Sequence, residues 1–286
     1  MGQTRFGSVL ESARVQGRAV GAFTCYDLAG FEAVAAAAQS HGAPAIVLIS
    51  PSSFAAPGGR RLARAFVAMA AEAPGEVLVQ LDHISDREQI ERAADCGLDA
   101  VMADGSKLAF EHNVAFSRAV VEALAPRGVG VEAELGRVEG QEDRAGTVTS
   151  GELTDPDQAR EFSQATGVDC LAVAIGNVHG HYDGTPRLDL ERLEAIEATP
   201  PLSLHGASGL PDDVLARAVA LGVAKVNVNT ELRGAYFQAL RAALEPHFEA
   251  LDLKGLGDST TAAVQRVVAA KLDAFGWAAK EATRAA

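Results

Sequence analysis

Short, nearly continuous apolar runs recur along the chain, separated by longer stretches whose apolar residues return at helical spacing. Eight such runs stand at residues 19–23, 45–49, 77–81, 100–103, 130–133, 171–175, 201–204 and 224–228. Runs this short, with little polar alternation, read as strands buried on both faces of a parallel sheet. The helical period holds over 28–40, 86–96, 108–124, 155–166, 212–221 and 231–244, and several of these stretches open on Asp or Thr and close near glycine. Eight strand–helix units in 286 residues predict an α/β fold, a single-domain (β/α)8 TIM barrel over 1–286 with one or two additional C-terminal helices between Pro246 and Trp277. Residues 140–151 (GQEDRAGTVTSG) interrupt the alternation. They are expected to form a mobile loop after the fifth strand, on the rim where barrel active sites are built.

Composition narrows the partners. With 25 Lys+Arg against 38 Asp+Glu the net charge is −13, which repels nucleic acid and anionic membranes at long range. No apolar stretch approaches the ~18 residues of a membrane span, and the first 18 residues carry charges where a secretion signal would be apolar. The cysteines, Cys25, Cys96 and Cys170, are odd in number and lack metal-type spacing. A cytoplasmic protein with reduced thiols is expected.

The chemistry lies where the strands end. The third run finishes Gln80-Leu81-Asp82-His83, the fourth reaches Asp104, the fifth Glu134, the sixth leads to His179, and the seventh finishes at His205. In a barrel these carboxyl ends converge on one rim, so three imidazoles and three carboxylates would face a shared cavity. Three histidines with a free fourth position form the ligand set of a catalytic zinc site; a hydrogen-bonded core cluster is the alternative. His181, two residues past His179, fits either a ligand or a loop role. His41, His112 and His247 fall in helical or terminal segments and are left outside the site.

The runs at 201–204 and 224–228 lead through Gly206-Ala207-Ser208-Gly209 and Asn227-Val228-Asn229-Thr230 into helices. Adjacent helix N-termini present free N–H groups and positive dipole ends, which suits a phosphate. The loops after the last two strands are a frequent phosphate site in barrels.

Taken together, Leu81-Asp82-His83, Val131 to Gly136, Gly140 to Asp143, Ala172 to Gly176 with His179-Gly180, Leu204 to Gly209 and Lys225 to Thr230 resemble the motifs of the class II, zinc-dependent ketose-bisphosphate aldolases, such as the fructose- and tagatose-bisphosphate enzymes. The resemblance implies a Zn2+ ion on His83, His179 and His205, and cleavage of a ketose phosphate to dihydroxyacetone phosphate and an aldehyde through a metal-stabilised enediolate. It implies Asp82 as the acid/base at the C4 hydroxyl and Glu142 as the group exchanging the C3 proton. Asp104 and Glu134 match carboxylates beside the metal or on a second divalent ion. Gly180, Gly206, Ala207, Ser208, Asn227, Val228, Asn229 and Thr230 match phosphate contacts, with a monovalent cation (Na+ or K+) nearby. Ser50 matches a substrate-contacting serine. The family is also expected to form a homodimer or homotetramer.

The chain departs from the family pattern at Thr24, where the first-strand motif carries Asn, and at Asn229, which is Asp or Ala in other members. No tail arginine for the far end of the substrate aligns clearly. Arg266 is one candidate; Arg60, with Arg61 and Arg64, is another. Substrates that fit are fructose or tagatose 1,6-bisphosphate, or a ketose 1-phosphate modified at position 6, for example sulfonated. A metal-dependent hydrolase or isomerase on the same barrel is a second reading, although residues 20–25 lack the His-x-His that the common hydrolase arrangement needs. A non-catalytic sugar-phosphate-binding subunit is a third.

Overall fold

In the computed structural model, described for residues 3–140, 143–144, 146–149, 151–197 and 200–279, eight parallel strands close into a barrel. They are β1 (Val20–Thr24), β2 (Ala45–Ile49), β3 (Val77–Ile84), β4 (Ala100–Ala103), β5 (Gly130–Leu135), β6 (Cys170–Val173), β7 (Leu202–Leu204) and β8 (Val223–Val228). Each of the eight predicted runs is one of these strands. Closure comes from β1 pairing with β8, with Val20 opposite Lys225 and Phe23 opposite Val228. Val, Ile, Leu and Ala fill both faces of most strands, so apolar burial against the surrounding helices holds the sheet.

The helices are α1 (Arg5–Val15), α2 (Leu28–His41), α3 (Pro51–Ala55), α4 (Gly59–Glu72), α5 (Arg87–Asp95), α6 (Phe110–Leu124), α7 (Pro156–Thr166), α8 (Leu190–Ala195), α9 (Asp212–Ala220), α10 (Thr230–Ala250) and α11 (Leu253–Ala274). Asp27, Asp86 and Asp155 cap α2, α5 and α7 through side-chain acceptors, as their sequence positions predict. No helix among the described residues is long and apolar enough to cross a membrane.

Helix α1 closes the N-terminal end of the barrel. Phe6 is fully buried and packs so closely on Gly130, at the start of β5, that a Cβ on Gly130 would lie 2.7 Å from the Phe6 Cβ. The Thr4 hydroxyl donates to Asp169 (2.8 Å) and Arg5 to Asp99 (2.8 Å), both just ahead of strands. Of the two barrel ends, the C-terminal rim is the one that α1 leaves open.

Two expectations change. The helix predicted over 231–244 runs on through Pro246 to Ala250 as α10; packing of α10 along α11 in a long hairpin offsets the hydrogen bond that the proline cannot make. The rim segment 140–151 is also not wholly loop, because Thr147–Val148 pairs in parallel with His181–Tyr182. The three cysteines are free and buried.

Candidate active site

Asp82 and His83 are consecutive, and in a regular strand their side chains would point to opposite faces. The structure brings both to the site through a break in β3. Leu81 pairs with Val101 and Ile84 with Ala103, three steps on β3 against two on β4. His83 sits in the left-handed region at φ 42°. A β-bulge of this kind re-aims a side chain, and a non-glycine residue held there stores strain that the surrounding contacts must hold in place.

The bulge brings His83 against His179 and His205. Ring centroids are 4.9 Å apart for His83 and His179, 4.8 Å for His83 and His205, and 5.8 Å for His179 and His205. One nitrogen of each lies within 4.8 Å of the others, and among the described residues these three form the cluster able to hold one ion. His181 stands outside it, exposed on the short outer strand.

Carboxylates fix the tautomers. His83 Nδ1 lies 3.1 Å from Asp104 Oδ2, and His205 Nε2 lies 2.9 Å from Glu132 Oε1. With those nitrogens donating outward, His83 Nε2 and His205 Nδ1 are left facing each other at 2.9 Å. Two lone pairs at that separation repel unless a proton or a cation lies between them. Nitrogens bound to one zinc ion in a tetrahedral set stand about 3.3 Å apart. The His83–His205 pair therefore fits one zinc ion with a shift of a few tenths of an ångström, and His179 completes a three-nitrogen set whose separations all lie within 4.8 Å.

Beneath His205 the barrel interior holds a charged network that the sequence reading did not single out. Glu132 accepts from Lys225 (2.8 Å), from Gln80 (2.6 Å) and from Ser203, all fully buried. Burial raises the Glu132 pKa, but the Lys225 ammonium and His205 beside it together outweigh this and hold the group well below the usual range. Burial opposes charge on Lys225, and the nearby carboxylates, Glu132 first and then Asp82, together more than restore it. His205 is held below its ordinary value by burial, with Lys225 adding to the effect. His83 goes the other way: burial lowers it, but Asp82, Asp104 and Glu134 together raise it well above the imidazole range. Glu134 is pushed up to about 7, first by burial and then by the Asp104 charge. Its Oε1 accepts from Val138 N, and Oε2 has no hydrogen-bond partner.

Asp82 is buried beside Asn227, whose Nδ2 lies 3.3 Å from Asp82 Oδ2 and 3.2 Å from His205 Nδ1. Lys225 Nζ donates to Asn227 Oδ1 (2.6 Å) and so fixes the amide orientation. Two cavities meet at His179. The narrower is lined by Gly180, Gly206, Ser208, Asn227, Asn229 and Thr230, the predicted phosphate loops. Gly206 is at φ 61°, and a Cβ there would collide with the Val178 carbonyl, so no larger residue fits this turn. Helix α10 starts here, and Ser208 Oγ accepts from the Glu231 N–H in its first turn (3.3 Å), joining the two loops. Ala207 and Val228 are buried behind the loops.

The wider cavity, about 610 Å3, is lined by His83, Asp104, Ser106, Lys107, Arg137 and Arg144, with Ser52 and Asp143 across from them. Several predicted contacts are placed differently. Ser50 is buried and caps α3 by accepting from Ser53 N; Pro51 and Ser52 line the cavity in its stead. Thr24 is buried with an unpartnered Oγ1 and lines neither cavity. Arg60 lines a separate cavity beyond α3, and Arg266 one between α10 and α11. Glu142 lies outside the described residues; Asp143, which follows it, accepts from the hydroxyls of Tyr26 (3.0 Å) and Ser52.

Comparison with known proteins agrees with this geometry. Residues 4–280 match the family profile of class-II fructose-bisphosphate aldolase. The YdjI aldolase from Escherichia coli K12 superposes with a TM-score of 0.84 at 29% identity, over 96% of this chain and 98% of its own. A Coccidioides immitis protein provisionally assigned as a fructose-1,6-bisphosphate aldolase reaches 0.87 at 35% identity, covering 96% of both chains. The fructose-bisphosphate aldolase Fba from Campylobacter jejuni shares the fold, with a TM-score of 0.80 at 18% identity over 95% of this chain and 94% of that one. The chain is an aldolase and belongs to the class-II fructose-bisphosphate aldolase family.

Proposed function

We propose that the protein reversibly cleaves a ketose phosphate to dihydroxyacetone phosphate and an aldehyde, with zinc on His83, His179 and His205. The observation that carries this reading is the meeting of the two cavities at His179: a narrow one edged by the phosphate loops and a wide one beyond the imidazoles. A ketose 1-phosphate would place its phosphate in the first, C2 and C3 at the histidines, and the remaining carbons in the second. When bound, zinc supplies a Lewis acid to the ketose oxygens.

The chain's own groups supply the rest. Backbone N–H groups of the Gly206–Ser208 loop and at the start of α10 bind the phosphate. Asp82 takes the C4 hydroxyl proton during cleavage and returns it during condensation. Glu142 exchanges the proton at C3. Asp104 and Glu132 hold two imidazoles with their other nitrogens turned toward one point. A second divalent ion would find the Glu134 oxygen that makes no hydrogen bond, and a monovalent cation belongs beside the phosphate loops.

At the far end, Arg137 is paired with Glu139, whereas Lys107 and Arg144 have no ion pair among the described residues. This favours an anionic tail on the substrate, as in fructose or tagatose 1,6-bisphosphate or a sulfonated ketose 1-phosphate. Self-association would cover the outward apolar side of the α10–α11 hairpin, where Phe237, Phe248, Leu251 and Leu253 are exposed. The test is release of dihydroxyacetone phosphate from a panel of these ketoses, with chelator and zinc re-addition. Zinc-restored release is expected; no release from any of them by the zinc-loaded enzyme would reject the reading.

A further inference from the structure

Away from the barrel rim, four arginines converge on one cavity. Arg60, Arg61 and Arg64 of α4 and Arg92 of α5 line a space of about 470 Å3 together with Gln89, and no acidic residue is among its lining. In a chain of net charge −13, random placement would not collect four cations around one acid-free hollow. Arg92 is tied to Glu88 on its own helix, but Arg60, Arg61 and Arg64 have no ion pair among the described residues.

The placement is unfavourable for the free protein. The three α4 arginines occupy the N-terminal half of their helix, where the dipole is already positive, and its first turn has no acidic residue. Cations belong at the other end of a helix. The Oε1 of Gln89, in the same cavity, is buried without a partner; an amide turned over presents its N–H2 group there instead. Guanidinium forks match phosphate oxygens bidentately. Phe54 and Pro57 give the cavity an apolar wall for an organic body.

We infer that this cavity is a second anion site, for a small phosphorylated or polyphosphate ligand. It shares no lining residue with either cavity of the barrel rim. A polynucleotide is disfavoured because the forks converge on one hollow and the rest of the chain is acidic.

The test is calorimetric titration of the zinc-loaded full chain with inorganic pyrophosphate, comparing wild type with Arg60→Gln/Arg64→Gln at equal zinc content. Because pyrophosphate can also reach the phosphate loops, the readout is the difference: the double variant should bind one fewer pyrophosphate per chain. If that variant does not fold, Arg60→Lys/Arg64→Lys keeps the charge and removes the forks, and should weaken this site at least ~tenfold. Superimposable isotherms for wild type and either folded variant would overturn the assignment. So would retention of a single-stranded polynucleotide with no uptake of pyrophosphate at this site.

Discussion

At the N-terminal end of the barrel, Asp99 and Asp169 are fully employed in holding strands and helix together. Asp99 accepts from Arg5 and from Val79 N, and Asp169 from Thr4 and from Val131 N, all at 2.8–2.9 Å. At the C-terminal end the same residue class is left with work to do. Glu134 keeps an oxygen with no hydrogen bond, 3.9 Å from His83 Nδ1, and a pKa raised to about 7, and His83 sits in a strained backbone conformation. Carboxylates satisfied by backbone N–H groups stabilise the fold; carboxylates held near imidazoles over a cavity are poised for chemistry.

The largest break in this contrast should come from the imidazoles themselves. His205→Ala is expected to lose zinc and cleavage together, with kcat falling about 10³-fold or more. Asp82→Ala should keep its zinc while kcat falls by ~10²–10⁴. Metal analysis beside steady-state kinetics separates the two. An active His205→Ala, or a zinc-free Asp82→Ala, contradicts the assignment.

Next in size is the network under His205. Glu132→Gln takes from the buried Lys225 its hydrogen-bonded counter-charge, leaving only the Asp82 field, and should cost about 3–5 kcal/mol of stability, with zinc bound ~10–100-fold more weakly. Adding Lys225→Met to Glu132→Gln should recover much of the stability, by denaturant unfolding, but not the zinc affinity. Recovery of both would show that Glu132 serves folding alone.

Glu134 gives a pH signature. Its folded pKa of about 7 stands above the ordinary 4.5, first through burial. Between those values the folded chain keeps a proton that the unfolded chain has released. The stability linked to this group is therefore full below pH 4.5 and is lost as pH rises through 7, by up to roughly 3 kcal/mol. Urea unfolding of the chelator-treated chain should show that fall, and Glu134→Gln should flatten it. The smallest effect belongs to the closed end: Asp169→Ala should cost about 1–3 kcal/mol and leave kcat within about twofold.

Much of this was readable from residue order. The eight apolar runs are the eight barrel strands, and the strand-end rule gathered His83, His179 and His205 before any geometry was known. What could not be read depends on closure and register. Glu132 and Lys225 sit inside apolar runs far apart in sequence, and only the closed barrel makes them neighbours. The three-for-two step in β3 carries no sequence mark beyond two adjacent polar residues. Ser50 has the composition of a contact residue and the geometry of a cap. Pro246 is a helix breaker in isolation, and the α10–α11 hairpin overrides it.

The central claim is that the dihydroxyacetone phosphate half of the substrate sits between the phosphate loops and the three histidines. It is tested most directly with that fragment alone, by following deuterium incorporation at C3 by NMR in heavy water. The zinc-loaded enzyme should exchange one C3 hydrogen. Chelation or His205→Ala should abolish the exchange, and Asp82→Ala should retain it because that carboxylate acts at C4. Absence of exchange by fully zinc-loaded wild type, or loss of it in zinc-loaded Asp82→Ala, would contradict the account.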